Sequence, residues 1–150
     1  MILRSALLPM MLAAPLAAAA QSSGLWHYQF NQGIGEYSTG AWDSATGGAL
    51  AISCGPGGST RIAVQVKGQA PPPHSRLRFT AASRAGSHET RFVTDARGDV
   101  TAASPADPAF RQFWADLRAR DIVTVRYADG RTIVHSLGGA AGLLPAKPCG

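Results

Sequence analysis

Two cysteines, Cys54 and Cys149, constrain this chain more than any other pair of residues. A bond between them ties the last residues to the middle of the chain and encloses most elements in one loop. Closing a loop of roughly 95 residues lowers unfolded-state freedom by about 4–5 kcal/mol, less any native strain. Compartment decides whether the bond forms, because thiols stay reduced in the cytosol and pair in exported proteins. The first twenty residues address that point. Arg4 supplies a positive start, and Leu7 to Leu16 form a short apolar run. Ala18-Ala19-Ala20 provides the small residues a signal peptidase needs. Cleavage after Ala20 is expected, with Gln21 first in the mature chain. The apolar run is shorter than the ~20 residues of a membrane span, and no cysteine follows the cleavage point to take a lipid. The expectation is an exported bacterial protein, periplasmic or secreted, with a Cys54–Cys149 disulfide and no transmembrane segment. A metal pair is disfavoured, since neither cysteine has a histidine or second cysteine close by in sequence.

The remaining residues, 21–150, fit one globular domain. The full chain is 45% hydrophobic, enough for a core, and its 17 Gly and 10 Pro supply many turns. The net charge of +5 drops by one with Arg4, a balance that permits contact with anionic surfaces without requiring it.

Alternation of apolar and polar residues dominates the mature chain. Leu25–Phe30 reads as a strand with Trp26, Tyr28 and Phe30 on one face, and Tyr37–Trp42 as a second strand or ordered loop. Ala49–Cys54 follows with Leu50 and Ile52 together, and Gly55–Ser59 is a tight connection. In Arg61–Lys67, Ile62, Val64 and Val66 point one way and Arg61, Gln65 and Lys67 the other. Pro71–Pro73 makes an extended connector. Arg76–Ala81 alternates again, with Leu77, Phe79 and Ala81 inward, and His88–Thr94 is a further strand. Asp121–Tyr127 and Arg131–Leu137 flank Asp129-Gly130, a strong hairpin signal.

One helix stands out, at about 107–119. Phe110, Phe113, Trp114 and Leu117 form a single stripe, Asp107 is a candidate N-cap with Pro108 at the first turn, and Arg118 and Arg120 suit the last turn. Gly138–Leu144 reads as a short helix burying Ala140, Ala141 and Leu144. The fold class expected is α+β: a β-rich antiparallel sandwich or curled sheet with one amphipathic helix and a C-terminal hairpin.

Catalytic, cofactor and metal signatures are missing from the sequence. His27, His74, His88 and His135 share no metal-binding spacing. Ser53 or Ser136 with His135 lacks the context of a nucleophile, and the glycine clusters lack the residues of a phosphate loop. No catalytic residue, cofactor or metal is assigned. A small hydrolase or inhibitor-like module with a site near His135 is the rival reading. Nucleic acid is excluded as a partner by export and by the lack of aromatics among the basic positions.

Binding is the leading role. Arg61, Lys67, Arg76 and Arg78 occupy outward positions of two strands, and antiparallel pairing of those strands would gather them on one wet surface. Such a surface suits lipopolysaccharide phosphates, anionic lipid headgroups or an acidic envelope protein. The bland alternative is that the arginines keep a sheet soluble. Trp42, in a Gly-rich setting, is the aromatic residue expected to be exposed.

Several of these segments carry a resemblance. They are Trp26 near the mature start, Gly48-Ala49-Leu50-Ala51-Ile52-Ser53-Cys54, the Phe110–Leu117 helix, and Ser136-Leu137-Gly138-Gly139-Ala140 running to Cys149. In order and spacing the chain resembles small exported proteobacterial proteins, the type VI secretion-associated VasI-like group and the invasion-associated locus B-like group. Pro71–Pro73 departs from that pattern. The resemblance implies an envelope accessory protein without catalysis. A monomeric, non-catalytic binding module is the expectation.

Overall fold

The computed structural model describes residues 20–22 and 25–150. The expected leader therefore lies outside the described residues, its last residue excepted. Nine strands and two helices follow in order. They are β1 (Ala20–Ser22), β2 (His27–Asn31), β3 (Ile34–Gly40), β4 (Gly48–Cys54), β5 (Thr60–Val66), β6 (Arg76–Ser83) and β7 (Gly86–Val93), then α1 (Pro108–Ala119), β8 (Ile122–Arg126), β9 (Thr132–Ser136) and α2 (Ala140–Leu143). The strands form two sheets, a four-stranded antiparallel meander β2-β3-β4-β5 and a five-stranded sheet ordered β1-β9-β8-β6-β7. Only β1 runs parallel to its neighbour, β9. The α+β sandwich read from the sequence is the architecture observed.

Alternation sets which face turns inward. In the four-stranded sheet, Tyr37, Leu50, Ile52, Ile62, Val64 and Val66 are buried, and register places Tyr37 opposite Ile52 and Ile52 opposite Ile62. In the other sheet Leu77, Phe79, Val123, Val125 and Ile133 face them. The sheets approach so closely at β4 that a Cβ on Gly48 would lie 2.6 Å from Ile133 Cδ1. Helix α1 adds Phe110, Phe113, Trp114 and Leu117 to this core. Phe113 stacks near Phe79 and Phe92, and Trp114 meets Tyr37 edge-on at 5.4 Å. Burying each such side chain contributes about 1.5–3 kcal/mol over leaving it exposed.

Several local expectations need correction. Tyr28 and Phe30 lie on the inward parity of β2 yet are 49% and 68% exposed, because β2 is an edge strand. Trp26 is buried as expected, and its indole N–H donates to the Ser136 carbonyl. Asp107 precedes α1 but makes no side-chain cap; its carboxylate accepts the Ser104 backbone N–H instead. Arg118 and Arg120 do more than face a dipole. Arg118 donates to the Leu144 carbonyl, and Arg120 to Ser83 Oγ and the Gly86 carbonyl, tying α1 to the C-terminal segment and the β6–β7 turn. Ala141 is exposed, while Ala140 and Leu144 are buried. Cys54, ending β4, and Cys149 stand at disulfide distance, with Cα atoms 5.5 Å apart.

Candidate functional site

The outward face of the β6-β7-β8 strip gathers four arginines. Leu77 and Phe79 turn into the core, so Arg76 and Arg78 turn out. The same parity exposes Arg91 on β7 and Arg126 on β8. Antiparallel register then sets Arg78 directly opposite Arg91 on one side and Arg126 on the other, with Arg76 opposite Val93. Residues paired this way have Cβ atoms about 4.5–5.5 Å apart, and like charges so placed are destabilising. Glu89 offsets part of the repulsion, 2.5 Å from Arg91 Nε and 3.7 Å from Arg78 Nε. Among the described residues, the side chains of Arg76 and Arg126 make no hydrogen bond or ion pair. The four arginines line a depression of about 300 Å³ with Tyr127 and Ala128. The Tyr127 hydroxyl donates to the Gln69 carbonyl, and burial pushes its pKa well above the ordinary tyrosine value. The phenol is thus a fixed neutral wall.

Arg61 and Lys67 do not join this cluster. They belong to β5 and the residue just beyond it, in the other sheet, so the antiparallel pairing with β6 that would have gathered them does not form. Arg61 is held by Asp99 at 2.8 Å. Lys67 is exposed at a left-handed φ of 51°, its backbone N–H donating to the Gly47 carbonyl. Trp42 is 42% exposed in the β3–β4 loop. The sequence reading missed Arg91 and Arg126. Alternation gave the outward side of each strand, but only knowledge of which strands are neighbours would have collected them.

His135 is fully buried on the inner face of β9, opposite Val123. Desolvation lowers its pKa to about 4, and a substrate arriving from solvent does not meet this ring. A second imidazole is placed by geometry the sequence did not reveal. His88 Nδ1 lies 2.7 Å from Asp116, whose carboxylate is buried on α1 and also accepts from Gln112. This contact pins α1 to β7. Among the described residues no three or more His, Cys, Asp or Glu gather as a metal site.

A family profile, YfjT, matches residues 24–144. The chain belongs to the YfjT family. The match spans β2 through α2, so all four arginines of the face lie inside the YfjT region and Cys149 lies beyond it. No curated protein and no solved structure matches the chain. No helix among the described residues is long and apolar enough to cross a membrane.

Proposed function

We propose that this YfjT-family protein is an exported, non-catalytic binding module of the bacterial cell envelope. It acts as a monomer and holds an anionic group on the arginine face of β6-β7-β8. The observation that carries this reading is the row Arg91–Arg78–Arg126 with Arg76 beside it. One carboxylate, Glu89, pairs with Arg78 and Arg91 and none with Arg76 or Arg126, leaving an excess of about three positive charges among the four guanidiniums. A surface arranged only for solubility intersperses the two signs; this one stacks like charges across neighbouring strands. Export is supported by the leader pattern and by the Cys54–Cys149 pair at disulfide distance. The resemblance to VasI-like and locus B-like envelope proteins belongs to the same reading. Lipopolysaccharide phosphates and anionic lipid headgroups are the natural ligands of such a face, since guanidinium forks match phosphate oxygens.

The test is co-sedimentation with phosphatidylglycerol vesicles against phosphatidylcholine vesicles at low and high salt. The expected result is binding to the anionic vesicles alone, weakened by salt and abolished in the triple variant Arg76→Gln, Arg78→Gln, Arg126→Gln. Those positions are exposed, so the variant should fold. Arg126→Thr alone should be more stable than the parent by about 0.2–1 kcal/mol, because a like-charge pair is relieved. Equal binding to both vesicles, or a triple variant that binds as well as the parent, would remove the arginine face from the function.

A further inference from the structure

The arginine depression has an apolar neighbour. Beside edge strand β7, Phe92, Val93, Val100, Ala103, Pro108 and Ala109 line a groove of about 380 Å³ between the strand, the 100–103 segment and the first turn of α1. Asp107 stands at its border, its carboxylate accepting the Ser104 backbone N–H. Arg91 lines both cavities, and Val93, 62% exposed in the groove, is the cross-strand partner of Arg76 in the depression. A cationic pocket and a mainly apolar groove therefore adjoin at Arg91, with Val93 of the same strand next to it in the groove.

Resting on the anion-binding reading above, we infer that the two cavities form one bipartite site for a phosphate-headed lipid bearing a single acyl chain. The phosphate sits among Arg76, Arg78, Arg91 and Arg126, and the chain lies along Phe92, Val93 and Ala109. Charge selects the head. A carboxylate offers two oxygens, enough for one guanidinium fork, whereas a phosphate monoester has three terminal oxygens and up to two charges to share among several. Shape selects the tail. Each cavity is at the small end of the roughly 300–1,000 Å³ of small-molecule sites, which suits one headgroup and one chain. The site would take a lipid monomer, so the protein would solubilise or sense such lipids in the aqueous envelope.

The experiment is isothermal titration of the full mature chain with dodecyl phosphate below its micelle concentration, alongside inorganic phosphate and dodecyl maltoside. Dodecyl phosphate should bind at least about tenfold more tightly than inorganic phosphate, because the chain leaves water as it binds. Dodecyl maltoside should not bind measurably. Ala109→Trp, at an exposed helical position, fills the groove without changing charge and should erase the tail's advantage while leaving inorganic phosphate binding intact. Val93→Gln gives an independent groove variant. Arg76→Gln with Arg126→Gln should weaken both phosphate probes. If dodecyl phosphate and inorganic phosphate bind alike, the bipartite site is overturned and the anion face survives. If dodecyl maltoside binds as tightly as dodecyl phosphate, the head is not selected by charge and the bipartite site is overturned. If neither phosphate probe binds, both readings fall.

Discussion

On the inner face of β9, His135 stands against Val123 with no exposure to solvent, and desolvation lowers its pKa to about 4. In the unfolded chain the ring takes its proton near pH 6.5. Between those two values the unfolded state binds more protons than the native state, so stability rises with pH and falls on acidification. The contribution is complete above about pH 6.5 and lost as pH drops to about 4, a change of about 3 kcal/mol. Urea midpoints at pH 7, 5.5 and 4.5 should fall accordingly in the parent protein and stay nearly level in His135→Leu. Staying above pH 4 keeps Asp95 and Asp129 out of the measurement, since hydrogen bonds to Arg97 and Arg131 lower their pKa values. A parent whose stability is flat across the window would mean the ring is not buried neutral. The sequence held no sign of this role, because His135 and His88 alternate with their neighbours alike. One ring is sealed under the opposing sheet, and the other meets a carboxylate on α1.

Among the elements, β4 shows how closely the two layers approach. Leu50 and Ile52 were legible as core residues from their alternation, and the helix stripe Phe110–Leu117 from its spacing. Turn chemistry at Asp129-Gly130 marked the β8–β9 hairpin. None of those signals says which strand lies beside which, and the candidate site depends on that. The Arg61 strand and the Arg76 strand have the same pattern but enter different sheets, because β5 closes the meander and β6 pairs with β7 and β8. Long-range pairing is chosen by the packing of whole faces, which local periodicity does not encode. Gly48 is the clearest consequence. A Cβ there would lie 2.1 Å from the Gln65 carbonyl oxygen and 2.6 Å from Ile133 Cδ1. Gly48→Ala should therefore cost about 3 kcal/mol through displacement of β5 or β9. Gly142→Ala in α2, where nothing stands within 4 Å, should be neutral or stabilising by up to about 1 kcal/mol. Similar urea midpoints for the two variants would contradict the close packing of β4 against β9.

At the scale of the molecule, the Cys54–Cys149 pair joins parts that otherwise meet through few directional contacts. Cys54 ends β4 in the four-stranded sheet, and Cys149 follows α2, which packs beside α1. The other polar ties across these parts include Trp26 to the Ser136 carbonyl, Trp114 to the Pro145 carbonyl, Tyr127 to the Gln69 carbonyl and the Ile62–Val100 bridge. The arginine face lies wholly within β6, β7 and β8, so its register is maintained by its own sheet. Stability and binding are then separable. Reduction, or Cys54→Ser with Cys149→Ser, should lower unfolding free energy by about 4 kcal/mol in the chain-entropy account. Below the new midpoint, the folded fraction should bind phosphatidylglycerol vesicles as the parent does. Tryptophan fluorescence and far-UV circular dichroism should still report one transition, since Trp114 links α1 to both sheets through Tyr37 and its helix neighbours. An unchanged midpoint on reduction would mean that the pair adds nothing to the fold. Loss of vesicle binding in still-folded protein would mean that the arginine face depends on the far sheet, and the site would have to be redrawn to include it.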